Sequence, residues 1–431
     1  MANPAPPAAD SDSRVVALAN GVRIVVVRLP YLATAAASVF VRSGSQHESA
    51  GQNGIGHLIE HMAFKGTRSR DCQQINLDAE RLGAEVNAHT DKDHTAFHMR
   101  GRARDAEAFV AMLGDIVRAS TFPDDELERE RDVILHELAE DHDDPAATAF
   151  ELFDRACYDA HPAANPVIGA RTNIRRITRG ELAAWVERQY TGANTVVGVA
   201  GDVDADRIVA AVRAAFGDMP RGHDNAIAPP AWVGGIRARR LPGAHQADFV
   251  VGFPVPPLAH ASPAFVVAAA LLGEGMSSPL LDRLRERRGL VYHADCWADV
   301  RDAYGQFVIE ATTAPEHLRE TVAEIAGLLR EHAATTDPVA LERARNQVEV
   351  RMLLDRETPD KRLEAAALDL FALGRVRARD ELVAGIGAVD PADVRHAFAQ
   401  MLAAGAAVGI AGSMGRSAIA QVTRIMKLSG G

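Results

Sequence analysis

Residues Gly54 to Thr67 read GIGHLIEHMAFKGT. Within this stretch His57, Glu60 and His61 fall on one face of a helix, because residues three and four apart stack over one another. Leu58, Ile59 and Met62 take the other face and give the helix a core to pack on. Two neutral imidazoles on one face are a ready pair of zinc ligands. A carboxylate between them is placed to take a proton from a water held there. Gly54 and Gly56 permit close packing just ahead of the helix.

The order His-x-x-Glu-His reverses the more common His-Glu-x-x-His and is the inverted zincin motif. A catalytic zinc needs a third protein ligand and one open position. The next acidic helix, ELERERDVILHELAEDHDD from Glu126 to Asp144, offers several carboxylates. Glu130 and Glu137 are seven apart and share a face. Val133 and Ile134 are read on that same side, which makes it partly buried, and a carboxylate there needs a partner such as a metal. Glu140 and Asp141 continue the stripe. Spacing alone does not choose among these four. Glu126 and Glu128 read as a solvated acidic face.

Outward from this site, the chain has 431 residues and carries a net charge of −11. That length predicts two domains, or three. The 47% apolar and 24% charged composition is that of a globular protein and excludes disordered, collagen-like and coiled-coil chains. The negative charge argues against nucleic acid as a partner, since phosphate binding needs a basic surface. No apolar run is long enough for a transmembrane helix, so no membrane partner is expected. Cys72, Cys157 and Cys296 make neither a disulfide framework nor a zinc site. They fit a reducing compartment. The expected location is the cytoplasm, or the periplasm if a signal peptide has been removed. Residues 1–13, MANPAPPAADSDS, read as a flexible arm with no secretory pattern.

The Gly- and Pro-rich stretch Gly217 to Trp232, GDMPRGHDNAIAPPAW, marks a linker, drawn at 219–236. It separates an N-terminal domain, 14–218, from a C-terminal domain, 237–431. The near-equal halves carry traces of a repeat. FHMR from Phe97 matches FVIEA from Phe307 in order and offset, and LERERDVI from Leu127 matches LERARNQV from Leu341. That alignment sets Glu130 against Ala344 and Glu137 against Arg351. Strands are expected at Val22–Val27, Ala35–Val41, Asn194–Ala200, Ala247–Gly252 and Gly305–Thr312. Helices are expected at Ala106–Ser120, Asp124–His142, Asp204–Phe216, Ser262–Leu272 and Pro338–Asp355. Strands and helices do not alternate strictly. The expected class is α+β: two homologous domains, each a mostly antiparallel sheet packed with helices.

With these motifs in place, the sequence resembles the pitrilysin/insulinase superfamily of zinc metallopeptidases. The resemblance is to its short branch, similar to the mitochondrial processing peptidase subunits. The residues that carry it are His57-x-x-Glu60-His61 and the Glu130 to Glu137 pair. It implies one Zn2+ per chain held by His57, His61 and Glu137, with Glu60 as general base and Glu130 in support. Residues Gly83 to His98, read on their own as a polar hairpin with a turn near Asp91 to Asp93, are similar to the family's substrate-edge strand. Asn87 and Ala88 stand at its Asn-Ala. LLGEGMSSPLLDRLRERRGLVY, Leu271 to Tyr292, resembles a family segment that ends in an Arg and a Tyr seven apart. Arg285 and Tyr292 match that pair, while Glu274 and Pro279 depart from the pattern. A guanidinium can hold substrate carbonyls and a phenol can donate to a developing oxyanion. The family closes its site between two clam-like halves, and this chain supplies one. The resemblance therefore implies a homodimer, or a heterodimer with a related subunit, acting on a peptide substrate. The implied function is a zinc endopeptidase. The alternative is a non-catalytic or partner-dependent subunit of a heterodimeric processing peptidase.

Overall fold

A computed structural model of the protein describes residues 13–415 and 417–426. The arm expected at 1–13 lies outside these residues, apart from Ser13. The chain forms two compact units. One contains the residues up to Leu138 together with Pro166–Ile227 and Leu354–Arg379. The other contains Ala139–Asn165, Ala228–Leu353 and the residues from Asp380 on. The units are therefore not contiguous in sequence, as the division at 219–236 had them. Residues 139–165 belong with the second unit and 354–379 with the first.

The first unit holds strands β1 (Ser13–Ala17), β2 (Arg23–Arg28), β3 (Thr34–Val41), β4 (Glu85–Thr90), β5 (Thr95–Arg102) and β6 (Thr195–Gly201). They form one sheet in the order β1-β2-β6-β3-β5-β4. The second unit holds β7 (Gly235–Arg240), β8 (Ala247–Val255), β9 (Val291–Val300), β10 (Gly305–Thr313) and β11 (Ala407–Gly412), ordered β7-β11-β8-β10-β9. With β1 set aside, the two orders correspond strand for strand. In each sheet one pair is parallel, β2 with β6 and β7 with β11, and the other pairs are antiparallel. This is the expected α+β class, with the repeat expressed as topology. Residues 83–98 form the expected hairpin. Its outer strand β4 pairs only with β5, so it is a sheet edge.

The exchanged segments follow from what the sheets bury. β3 reads TAAASVFV, and all but its first residue are buried. Strands covered on both faces read as continuous apolar runs, so each sheet needs helices on both sides. In the first unit, helices Ile55–Met62 and Ala106–Ala119 share a core with Ile24, Val39 and Phe97 on one face of the sheet. The other face, with Val25, Phe40 and Ala96, is covered by Leu363, Ala367 and Leu370 of helix Pro359–Leu373. In the second unit the matching cover is helix Pro145–Tyr158, whose Ala149 and Phe153 pack on Val250, Val308 and Ala407. At Gly409 in β11 a Cβ would fall 2.1 Å from the Ala149 carbonyl oxygen, so only glycine admits this helix. Phe153, Phe249, Phe253 and Phe307 are fully buried. Each contributes about 1.5–3 kcal/mol over an exposed side chain.

Candidate metal centre

Helix Ile55–Met62 carries the first three site residues. Its N-cap, Gly54, has φ 99°, a left-handed conformation that favours glycine. Ile55, Leu58, Ile59 and Met62 are buried. They fix the helix on the sheet, and His57, Glu60 and His61 emerge from its remaining, half-buried face. The helix packs against edge strand β4.

Glu48 anchors the start of this helix. Its Oε2 accepts from the Gly54 backbone N–H at 2.8 Å and from Asn53 Nδ2 at 2.9 Å. Its Oε1 accepts from the Gly56 N–H at 2.8 Å. A carboxylate at a helix N-terminus satisfies backbone donors that have no partner within the helix. Burial pushes the Glu48 carboxyl up to about 7, against the opposing pull of these three donors. Sequence reading missed this residue, because an isolated Glu six positions ahead of a glycine carries no local pattern.

Helix Asp124–Asp143 supplies the carboxylates. Its buried residues are Leu127, Glu130, Arg131, Ile134 and Leu138. Val133, expected on the buried side, is 44% exposed. The stripe follows the spacing 127, 130, 134, 138, and Val133 falls outside it. Glu140 and Asp141 lie past the end of that stripe, whereas Glu137 faces His61, with 3.7 Å between Glu137 Oε2 and His61 Nε2. The structure thus gathers His57, His61 and Glu137, with one ligand-type atom from each lying within 4.8 Å of the others. The two imidazoles meet edge to face, with centroids 4.7 Å apart.

Glu130 sits behind this cluster. Its Oε2 is 3.0 Å from His61 Nδ1, and its Oε1 is 2.6 Å from Lys65 Nζ. Burial alone would raise the Glu130 carboxyl. The Lys65 ammonium and the His61 ring outweigh it and hold the group below the usual carboxylate range. A carboxylate on Nδ1 turns the Nε2 of His61 toward Glu137, the arrangement that orients a metal-ligating histidine. Lys65 was also missed in the sequence. Its signal is the spacing of four from His61, which puts both side chains on one side of the chain as it leaves the helix.

Two observations test whether the cluster suits a zinc ion. His57 Nδ1 is buried and has no hydrogen-bond partner. Burial, and then repulsion from His61, push the His57 imidazole down to about 4, so the ring is neutral and able to ligate. Two imidazoles and one carboxylate are a donor set that zinc accepts. The residues fit the ion.

Asn87 and Ala88 lie on β4. Ala88 is buried in the core shared with the metal-site helix, and its N–H donates to Asn87 Oδ1 at 2.9 Å. Arg285 and Tyr292 belong to the second unit. Arg285 lies in a stretch of π-helix, Asp282–Arg287, and Tyr292 lies on edge strand β9. The guanidinium carbon of Arg285 stands 5.3 Å from the centroid of the Tyr292 ring, and the tyrosine is 83% exposed. Met276, 62% exposed, lies alongside, its sulfur 4.0 Å from Arg285 Nη1.

An α+β unit with helices on both faces of its sheet, which carries His-x-x-Glu-His on one helix and a facing glutamate on helix Asp124–Asp143, defines a class of folds with a candidate metal centre. The sequence matches the insulinase family of peptidases (family M16) over residues 23–171 and the peptidase M16 inactive domain over residues 176–348. An uncharacterized zinc protease of Mycobacterium bovis is 33% identical over 334 residues, 76% of either chain. One of Rickettsia felis is 27% identical over 368 residues, covering 85% of this chain and 89% of the relative. A protease from Helicobacter pylori shares the fold with a TM-score of 0.83 and 21% identity, covering 93% of this chain and 99% of that one. The chain belongs to peptidase family M16. Among the described residues, no helix is long and apolar enough to cross a membrane.

Proposed function

We propose that the protein is a zinc-dependent endopeptidase that cleaves peptides or small unfolded polypeptides inside an enclosed dimeric chamber. The observation that carries this reading is the convergence of His57, His61 and Glu137 beside Glu60, with Glu130 and Lys65 behind them. His57, His61 and Glu137 hold one zinc ion. Zinc at such a site polarises a carbonyl and lowers the pKa of a bound water. Glu60 takes the proton of the attacking water and hands it to the leaving amine. Glu130 keeps the His61 ring in the ligating orientation, and Lys65 keeps Glu130 ionised. β4, with Asn87 and Ala88, offers main-chain hydrogen bonds to an extended peptide, as an unpaired strand edge can. Arg285 and Tyr292 hold the substrate carbonyls and the oxyanion. The subunits pair as a homodimer or with a related chain. The low cysteine count suits the cytoplasm, or the periplasm if a signal peptide has been removed.

Glu60→Gln tests the assignment. The variant is expected to keep its zinc and to lose about 10²–10⁴-fold in peptide cleavage. Cleavage at the parental rate would remove Glu60 from the mechanism. A second reading, a partner-dependent subunit, is favoured by the inactive-domain match over 176–348. It predicts that the isolated chain binds zinc and cleaves only when a related subunit is added.

A further inference from the structure

The first unit carries a second convergence of metal-type ligands, on the sheet face covered by helix Pro359–Leu373. His89 projects from β4, His94 stands in the turn just ahead of β5, and Glu364 comes from the helix. The Nε2 atoms of the two histidines are 3.3 Å apart. Glu364 Oε1 is 3.8 Å from His89 Nε2 and 3.7 Å from His94 Nε2. For a tetrahedral zinc bound at ~2.0–2.1 Å, neighbouring ligand atoms lie about 3.3–3.4 Å apart. The imidazole pair already has that separation. The carboxylate needs to close by only a few tenths of an ångström, and its side chain is 39% exposed and free to do so.

The pair is also oriented from behind. His94 is buried, and its Nδ1 lies 2.7 Å from the buried Asp93 Oδ1. A carboxylate on Nδ1 holds the proton there and leaves the Nε2 lone pair facing His89 and Glu364. Phe40 packs against the His94 ring, with centroids 6.0 Å apart. This repeats the arrangement around His61, where Glu130 takes Nδ1 and Nε2 stands 3.7 Å from Glu137. A hydrogen bond between the rings would account for the two nitrogens. Glu364 reaches both nitrogens as well, a charge pairing with the histidines that a bound ion would replace. His89 is half-exposed, so an ion can enter from solvent and water can complete its coordination.

We propose that His89, His94 and Glu364 form a second site for a divalent ion of zinc-like character, separate from His57, His61 and Glu137. Two imidazoles and a carboxylate suit Zn2+, Co2+ or Ni2+ over the hard cations Mg2+ and Ca2+. The ion ties β4 to helix Pro359–Leu373 and so braces the edge strand that bears Asn87 and Ala88.

Metal content tests this on the full chain, stripped with chelator, reloaded with Zn2+ alone and desalted. The parent is expected to retain one equivalent more than His89→Ala, and one more than Glu364→Gln, with the far-ultraviolet dichroism of all three the same. His57→Ala is expected to lose only the other equivalent, and the His57→Ala/His89→Ala double variant to retain none. Failure of the first centre therefore reads separately from failure of the second. Equal zinc in the parent, His89→Ala and Glu364→Gln would overturn the proposal.

Discussion

Helices Asp124–Asp143 and Pro338–Glu357 are both 20 residues long and come at the same point in the element order, each the second α-helix after β5 and β10 respectively. Their buried faces correspond at a constant offset. Leu127, Glu130 and Ile134 are buried in one, and Leu341, Ala344 and Val348 in the other. Where the first helix buries Glu130 under His61 and Lys65, the second buries the methyl group of Ala344. Where the first turns Glu137 toward His61, the second turns Arg351 to a surface ion pair with Glu274. One scaffold thus carries the carboxylates of the candidate metal centre in one unit and plain packing in the other. The shared apolar positions carry the fold, and the exchanges at 130/344 and 137/351 carry the chemistry.

The largest expected effect separates Glu137 from its counterpart. Glu137→Ala is expected to strip zinc from the first centre and abolish cleavage. Arg351→Ala is expected to leave the zinc content unchanged. Elemental analysis and a peptide-cleavage assay on the two variants check this, and equal zinc in both would break the comparison. Next comes the buried position. Ala344→Glu places a carboxylate in the apolar core that holds Leu341 and Val348 and is expected to cost about 3–5 kcal/mol in urea unfolding. Glu130→Ala is expected to weaken zinc affinity about 10–100-fold in competition with a chelator, since it removes the group that orients His61. If the two substitutions cost the same in stability and neither changes zinc affinity, Glu130 is a packing residue like Ala344.

The smallest effect concerns a carboxylate of the second unit that has only a surface role. Glu331 is paired with Arg283 through two contacts, at 2.8 and 2.7 Å, and both side chains are partly exposed. The Arg283 guanidinium holds its carboxyl below the usual range. A lowered folded-state pKa gives stability that is present above the unfolded pKa and lost as pH falls through the folded one. Glu331→Gln is expected to cost under about 1 kcal/mol at neutral pH and nothing in acid below that range. Urea midpoints measured at the two pH values check the sign. An equal cost at both would mean that charge is not the cause.

Much of the fold and site is legible in the sequence because it is local. The spacing of His57, Glu60 and His61 needs only helical periodicity. The hairpin at 83–98 and the long acidic helix need only their own residues. The register of that helix is ambiguous at Val133, because adjacent apolar residues look alike until the stripe through Leu127, Ile134 and Leu138 is fixed by packing. The exchange of Pro145–Tyr158 and Pro359–Leu373 leaves no local mark either. Each is an ordinary apolar helix, and which sheet it covers depends on which sheet face is still open.

By itself, the sequence determined the helix face shared by His57, Glu60 and His61, the α+β class and the two-fold repeat, since each is written in short-range spacing or in the order of elements. Only the tertiary structure decided which two of the four carboxylates meet His61, and on which ring nitrogen, that Lys65 and Glu48 stand behind the site, and that Glu364 converges on His89 and His94. Most of these contacts join residues far apart in the chain. Their distances are set by how helices settle on a sheet, which no local pattern encodes.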